Sequence, residues 1–425
     1  MKAKANMFTQ SGNWYKGNIH AHTTNSDGCW TPEQVVKAYK EQGYSFMCLS
    51  EHDYYTDLRQ QFDSEDFILL PGLEASVYLF DVDDTALDVD ELTDGKGRLD
   101  MIRPELVKIV QAHPEIKRVK THHIHGILGN EKMQTSAGEN CFFENEHTPV
   151  KVYFDSWHGV KAAEEMSEYL KSRGCFTTYN HPVWSRVDIE DVRDAKGFWG
   201  IEVYNYATVN ECGEGEDTTF LNSMLKQGTD ICVFAADDNH NTGDYPESFG
   251  GFIMVQADEL SHESIVNSML EGRFYASSGP EICQWGICDG KVYVECGPAK
   301  RVNFVVGGQV GSGKTVCAPE GETITYAEYP LKDEYTFVRI EIVDEKDRKA
   351  WTNPVMLKHP KKPVDDRTAK VHRLRYGMED ETGLIFEEML AALEREEALE
   401  NRLKDLEKKK ESVHCRNRQL KDYLE

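Results

Sequence analysis

The fold of this chain is decided by the stretch from residue 17 to residue 53, which reads GNIHAHTTNSDGCWTPEQVVKAYKEQGYSFMCLSEHD. Residues 31–34 (TPEQ) supply an N-cap threonine, a proline in the first turn and a capping-box glutamine, which together predict a helix start. The helix is predicted to end near residue 41, and a buried strand is predicted over residues 45–49. The stretch therefore predicts one helix–strand unit, flanked on both sides by histidine and carboxylate side chains.

The same alternation of apolar runs and amphipathic stretches continues from residue 14 to about residue 275. Strands are predicted over residues 67–70, 175–179, 200–204 and 231–235, and helices over residues 160–172 and 220–226. Repeated strand–helix alternation predicts an α/β domain over residues 14–275, with a parallel sheet that is open or closed into a barrel.

The pattern changes near residue 275. Residues 276–358 lack helical periodicity and alternate apolar with polar side chains, for example over residues 302–306 and 337–343. This alternation predicts an accessory all-β domain of the sandwich type over residues 276–358.

A helical tail is predicted over residues 367–425, where leucines recur at three- and four-residue spacing. Lys410 and Asn417 interrupt the apolar seam, so the seam is weaker than that of a regular coiled coil. Two alternatives follow: the tail forms a coiled coil that makes a homo-oligomer, or it packs back on its own chain.

Composition excludes several classes of protein. The chain of 425 residues has a formal net charge of −26, so long nucleic acid is not an expected partner, and a small anionic substrate needs a local cation. Hydrophobic residues make up 40% of the sequence, which excludes global disorder. The eleven cysteines form no Cys-x-x-Cys pair, and no apolar run has the length of a signal peptide or of a membrane span, so a cytoplasmic protein without membrane contact is expected.

Histidine and carboxylate residues follow nearly every predicted strand of the α/β domain. The ends of parallel strands converge on one face of a sheet, so these side chains are expected to lie together. Mixed imidazole and carboxylate ligands suit Zn²⁺, Mn²⁺ or Fe²⁺, and a shared carboxylate bridges two ions through its two oxygens. The sequence therefore predicts a divalent-metal centre with candidate ligands at nine positions: His20, His22, Asp27, His52, Glu74, one of His122, His123 and His125, His181, Asp238 and His240.

One position in this set is open. His122, His123 and His125 lie close together in the sequence, and His123 and His125 share one face of the predicted strand. The residues alone do not decide which of the three is a ligand.

The order of these motifs resembles the PHP family, named for polymerase and histidinol phosphatase domains. The motifs are the stretch GNIHAHTTNSDG at residues 17–28, SEHD at 50–53, GLE at 72–74, NHP at 180–182 and DNH at 238–240. The resemblance covers about residues 14–280 and implies a distorted seven-stranded (β/α)7 barrel. Residues 272–280 (GRFYASSGP) are similar to the junction at which PHP proteins append a β domain.

Carried onto this sequence, the resemblance implies two or three ion positions, of which the first two share the carboxylate of Glu74. The first is held by His20, His22, Glu74 and Asp238. The second is held by Glu74, His123 and His181. The third is held by Asp27, His52 and His240. The segment from residue 81 to residue 118 is longer than in compact members of the family.

The resemblance further implies hydrolysis of a phosphomonoester or phosphodiester, nucleotide-like or a small phosphorylated metabolite, by a hydroxide that bridges the metals. Glu74, Asp238 and His240 are the implied catalytic residues. Arg186 is the candidate phosphate clamp, because a guanidinium group matches phosphate oxygens in pairs. Two alternatives stay open: a carbamate or carboxyl-ester hydrolase on the same metals, and a non-catalytic binding protein.

Two sets of residues are assigned supporting or unrelated roles. Asp53, Glu202, Tyr204 and Asn205 are expected to support the ligands or to form the pocket wall, and Trp184 either packs in the core or lines the pocket. Residues 308–315 (GQVGSGKT) satisfy the P-loop pattern, but the Pro-Gly break at 319–321 leaves no room for the helix that a P-loop requires. A β-hairpin turn is predicted there instead.

Overall fold

A computed structural model of the chain describes residues 5–8, 12–81, 101–142, 147–154 and 159–359, together with five residues of the tail. The chain divides into two compact units, Met1–Pro360 and Lys361–Glu425. Among the described residues, no helix combines the length and the apolar composition that crossing a membrane requires.

The helices of the described residues are α1 (Pro32–Glu41), α2 (Arg59–Phe62), α3 (Arg103–Ala112), α4 (Glu131–Ala137), α5 (Val160–Ser172), α6 (Tyr206–Cys212), α7 (Thr218–Gln227) and α8 (His262–Leu270). Short 3-10 turns lie at Gly138–Asn140 and Ile189–Asp191.

The strands up to the end of the predicted α/β domain are β1 (Ala5–Asn6), β2 (Asn13–Asn18), β3 (Phe46–Met47), β4 (Tyr54–Thr56), β5 (Ile68–Leu69), β6 (Gly72–Asp81), β7 (Met101–Ile102), β8 (Lys117–Leu128), β9 (His147–Pro149), β10 (Lys151–Phe154), β11 (Cys175–Asn180), β12 (Gly200–Asn205), β13 (Cys232–Ala236), β14 (Phe252–Ala257) and β15 (Phe274–Ser277). They are followed by β16 (Ile282–Cys288), β17 (Lys291–Ala299), β18 (Arg301–Val306), β19 (Lys314–Cys317), β20 (Ile324–Pro330), β21 (Phe337–Val343), β22 (Lys349–Thr352) and β23 (Val355–Met356).

Helix α1 has the predicted bounds because its start is capped as the sequence indicates. The Thr31 hydroxyl accepts from the Gln34 backbone N–H, and the Gln34 side chain accepts from the Thr31 N–H. Val35 and Tyr39 are buried on the face that packs on the sheet. Helix α5 also begins and ends at the predicted residues.

The strands form three sheets. One has the order β13-β12-β11-β8-β6-β10-β7, with β4 and β9 attached to it. The second has the order β19-β18-β21-β22-β15-β14-β2-β3-β5, with β23 on β21. The third has the order β1-β16-β17-β20. The mixed α/β class is thus confirmed.

The predicted parallel sheet is present only in part, because strand direction changes in both large sheets. Strands β2, β3 and β5 are parallel, as are β11, β12 and β13. Strand β8, however, runs antiparallel to β6 and β11, and β14 runs antiparallel to β2. Among the described residues the strands do not close into one continuous (β/α)7 barrel. Two isolated parallel bridges connect the two large sheets: Ala21, after β2, pairs with Asn239, after β13, and His52, after β3, pairs with Glu74 in β6.

The predicted domain boundary at residues 275 and 276 lies within strand β15. This strand pairs with β14 on one side and with β22 on the other, so one sheet runs through the boundary. The side chains of Trp285, Val294, Phe304 and Ile340 lie in one buried cluster of the accessory region. The division into residues 14–275 and 276–358 stays a prediction.

The P-loop-like stretch forms a hairpin, as expected. Strands β18 and β19 are antiparallel, and Phe304 lies opposite Lys314. The chain then continues into strand β20 rather than into a helix, so the stretch lacks the structural setting of a phosphate-binding loop.

Little of the predicted tail is described. Arg395, Ala398, Leu399, Arg402 and Leu406 are helical, and the rest of residues 367–425 lies outside the described residues. Oligomerisation through the tail stays a prediction.

Candidate metal centre

The structure brings all nine predicted ligands together, some of them within strands and the others in the segments that follow strands. Two histidines follow β2, one follows β3, and another follows β11. Glu74 lies in β6 and His123 in β8, whereas Asp238 and His240 follow β13. Within each of four overlapping groups of these residues, one of which includes Glu202, the potential ligand atoms lie within 4.8 Å of one another.

We call His20, His22, Glu74 and Asp238 the inner group, because all four are buried. The Nε2 atoms of His20 and His22 both lie 3.0 Å from Asp238 Oδ1. The same two atoms lie 3.3 Å and 3.5 Å from the Glu74 oxygens Oε1 and Oε2. Two imidazole rings and two carboxylates therefore face a common point.

Glu74 extends beyond the inner group through both of its oxygens. Oε1 lies 3.4 Å from His123 Nδ1 and 3.2 Å from His181 Nε2. Oε2 lies 3.1 Å from His52 Nδ1. Glu74 therefore connects the inner group to His52, His123 and His181.

We call Asp27, His52 and His240 the outer group. The Nε2 atoms of His52 and His240 lie 3.7 Å and 3.5 Å from the two oxygens of Asp27. The Asp27 side chain is 39% exposed and that of His240 is 27% exposed, so this group forms the open side of the cluster.

Several buried atoms of the cluster lie close together without forming a hydrogen bond to any described residue. They are His20 Nε2, His22 Nε2, His52 Nδ1, His123 Nδ1, Glu74 Oε2 and Asp238 Oδ1. A buried polar atom left without a hydrogen bond costs roughly 1–3 kcal/mol. A divalent ion at the common point would satisfy these nitrogens and oxygens at once, so the residues fit a metal centre.

Further side chains hold the inner group in place. Glu202 Oε1 lies 3.0 Å from His20 Nδ1, and Glu202 Oε2 accepts from the Asn205 amide at 3.2 Å. The same amide donates to Asp238 Oδ2 at 2.9 Å. These contacts give Glu202 and Asn205 the supporting position that was predicted. Asn180 donates to Glu74 Oε1 at 2.8 Å, a role that was not predicted.

The electrostatics of the inner group favour ionised carboxylates. Burial opposes protonation of His22, but its contacts with Asp238 and Glu74 outweigh burial and raise its pKa to about 10. Burial alone would raise the pKa values of Glu74 and Asp238, yet the surrounding histidines hold both pKa values well below the ordinary range. Burial lowers the pKa of His123 to about 4, which keeps this ring neutral, as a ligand must be, near neutral pH.

The structure distinguishes the three neighbouring histidines. His123 faces Glu74, whereas His122 contacts the Tyr179 hydroxyl and the Gly159 carbonyl. His125 is buried with its ring edge-on to His20, at 4.3 Å between centroids. Geometry therefore places His123 with the candidate ligands.

Arg186, the predicted phosphate clamp, forms an ion pair with Glu214, and its side chain is 57% exposed. A role in phosphate binding stays a prediction. The neighbouring Trp184 packs against the rings of His181 and His123, at 5.2 Å and 6.0 Å between centroids, and lines the cluster.

Arg103 is a residue of the site that the sequence did not reveal. Its guanidinium donates to Asp27 Oδ2 at 3.0 Å and to Asp53 Oδ2 at 3.2 Å. Asp53 is buried, and its other oxygen accepts from the Ser76 N–H at 2.7 Å. Arg103 is thus fixed beside the outer group at the first residue of α3.

Several solved structures are similar to this chain, and two of them are described here. One is a two-domain protein from Bacteroides vulgatus containing a predicted PHP-like metal-dependent phosphoesterase, with 12% identity, a TM-score of 0.33, and coverage of 85% of this chain and 97% of that one. The other is an amidohydrolase from Chromobacterium violaceum with bound sulfate and no metal, with 15% identity, a TM-score of 0.30, and coverage of 61% and 96%. No family model and no curated protein matches the sequence. TM-scores in this range carry no argument about function, which rests on the site.

Proposed function

We propose that this protein is a metal-dependent phosphoesterase that hydrolyses a phosphomonoester or phosphodiester. The observation that carries the proposal is the position of Glu74. This buried carboxylate lies within 3.5 Å of ring nitrogens from five histidines: His20, His22, His52, His123 and His181. One carboxylate among so many imidazoles is the arrangement of a bridging ligand in a centre with more than one ion.

The inner group would hold one ion, Glu74 with His123 and His181 a second, and the outer group a third. Manganese, iron or zinc suits these ligands. Ions bound there would lower the pKa of water and polarise a phosphoryl oxygen.

The residues of the chain have separate tasks in this scheme. Glu74 and Asp238 would supply the negative charge that holds the ions. His240 lies on the open side of the cluster, where it would hold the third ion, and that ion would stabilise the charge on the leaving oxygen.

Arg103 is the cation that we assign to the substrate's anionic oxygens. The chain carries a net charge of −26, so an anionic substrate needs fixed positive charge beside the reacting group. Arg103 lies beside Asp27 and is held there by the buried Asp53. Arg186 is the competing candidate, and the two are separable by substitution.

The test combines metal analysis with a panel of substrates. The purified chain is analysed for metal, reconstituted with Mn²⁺, Fe²⁺ or Zn²⁺, and assayed with p-nitrophenyl phosphate, bis-p-nitrophenyl phosphate and p-nitrophenyl acetate. We expect two or three ions per chain and turnover of a phosphoester. Turnover of the acetate alone would favour the carboxyl-ester alternative, and full metal content without any turnover would favour a binding protein.

A further inference from the structure

Two buried glutamates outside the proposed ligand set hold the loops that carry the outer group. The first is Glu51, which directly precedes the candidate ligand His52. Its oxygens accept from the Thr23 N–H at 3.1 Å, from the Thr23 hydroxyl at 2.5 Å and from the Ser26 hydroxyl at 2.6 Å. Glu51 thereby fixes the turn that presents Asp27.

The second is Glu247, which holds the loop after β13 in the same way. Its oxygens accept from the His240 N–H at 2.7 Å, from the Thr242 N–H at 2.8 Å and from the Thr242 hydroxyl at 2.5 Å. The backbone of the candidate ligand His240 is therefore bound directly to this carboxylate.

The two loops are also joined to each other. The Cys29 N–H donates to the His240 carbonyl at 2.7 Å, which links the end of the Asp27 turn to the loop of His240. The segments that carry Asp27, His52 and His240 are therefore joined in one hydrogen-bonded network, which we call the frame. Its two acceptor side chains are Glu51 and Glu247.

Burial gives this frame its strength. Glu51 is fully buried and Glu247 is 3% exposed. A buried carboxylate is costly unless donors surround it, and each of these two accepts three hydrogen bonds from its loop. If either loop moved away, a buried negative charge would lose its donors, so the loops are held closely.

We propose that Glu51 and Glu247 are positioning residues that set the affinity of the outer group for its metal ion. The inference rests on the proposed metal centre and adds a division of labour to it. The inner group is supported by a different set of side chains, Asn180, Asn205 and Glu202, so its ions are expected to remain when the frame of the outer group is weakened.

The experiment measures metal stoichiometry in Glu51→Gln, Glu247→Gln and the double variant. Each substitution keeps the shape of the side chain and removes the charge and part of the acceptor capacity. Glu345→Gln, at an exposed position in the turn between β21 and β22, is the matched control. Metal per chain is measured after dialysis, and Mn²⁺ binding is followed by titration.

We expect the variants to retain the inner ions and to bind the outer ion about 10–100-fold more weakly, the usual range for residues that orient ligands. Excess Mn²⁺ should restore kcat, a rescue that a general folding defect would not show. Thr23→Val and Thr242→Val each remove one hydroxyl donor to Glu51 or Glu247 without changing a charge. If the glutamate variants unfold, these variants should show a smaller loss of Mn²⁺ affinity at the outer group.

Unchanged stoichiometry and unchanged Mn²⁺ affinity in the folded variants would overturn this inference alone. Loss of the outer ion in the variants, together with no phosphoester turnover by the unsubstituted protein, would support the inference and overturn the proposed function. No metal binding by the unsubstituted protein under reconstitution would overturn both.

Discussion

The inner and outer groups contain the same kinds of side chain, imidazole and carboxylate, but they differ in burial and in the elements that carry them. His20, His22 and Glu74 have fully buried side chains, and Glu74 lies within a strand. Asp27 and His240 are 39% and 27% exposed and lie on loops. In the inner group, Glu74 is placed by its strand and the other side chains are held by buried neighbours such as Glu202 and Asn205, whereas Asp27 and His240 depend on the hydrogen bonds of their loops. Under the proposed function, the buried half would be preorganised for ions, and the open half would admit the substrate.

The largest effect is expected from Glu74→Gln, which strikes the inner group. Because both oxygens of Glu74 face histidines, the substitution should remove at least one ion and lower kcat at least about a thousandfold. Metal analysis and phosphoester assays measure the loss, and circular dichroism checks the fold. Glu345→Gln is the control. Activity retained by Glu74→Gln would contradict the assignment of Glu74 as the bridging ligand.

A smaller and more selective effect is expected from Asp27→Asn, which strikes the outer group alone. Asp27 faces His52 and His240, so its amide analogue should lose one ion per chain and about 10–100-fold in kcat, with the inner ions retained. Metal stoichiometry is the decisive measurement. Loss of every ion would show that the two groups are not separable.

Arg103→Gln tests the positive charge beside the outer group. We expect KM for a phosphoester and the inhibition constant for inorganic phosphate to rise about tenfold, which corresponds to about 1.4 kcal/mol. Arg186→Gln is the comparison, and because its ion pair with Glu214 is exposed, a change of less than about twofold is expected. The reverse order of effects would make Arg186 the clamp.

The buried side chain of His122 predicts a pH effect on stability. Burial lowers the pKa of His122 to about 3, whereas an unfolded histidine titrates near pH 6.5. The unfolded chain therefore binds the proton more readily, so stability is present above about pH 6.5 and declines as the pH falls toward 3. Urea unfolding of the chain in chelator, from pH 7.5 to 5, should show a shallower decline for His122→Gln. An identical slope in both proteins would contradict this.

The smallest effect is expected from a substitution in the P-loop-like hairpin, outside both groups. Lys314→Ala should leave metal content and kcat within about twofold of the unsubstituted protein, because Lys314 is an exposed strand residue of that hairpin. Nucleotide affinity, measured by titration in chelator so that the metal centre does not contribute, should be the same in both proteins. Binding that disappears in Lys314→Ala would restore the P-loop interpretation.

Local signals explain what the sequence could predict. The cap at Thr31 and the periodicity of residues 160–172 define helices without help from distant residues, and histidines after successive strands indicate a shared site. Strand direction is not contained in periodicity, so the antiparallel pairing of β8 was missed. Arg103 was missed for a related reason: it reaches Asp27 across 76 positions of sequence, and nothing in its own segment marks that contact.

The two isolated bridges between the large sheets lie at the candidate ligands, which links metal binding to the stability of the fold. Ala21 pairs with Asn239 and His52 pairs with Glu74, so the seam between the sheets lies directly at the ligands. His20 and His22 approach the seam from one sheet, and Glu74 and Asp238 approach it from the other. An ion bound by all four residues would link the two sheets and stabilise the folded state. The unfolding temperature would then rise with the fraction of the protein that holds the ion.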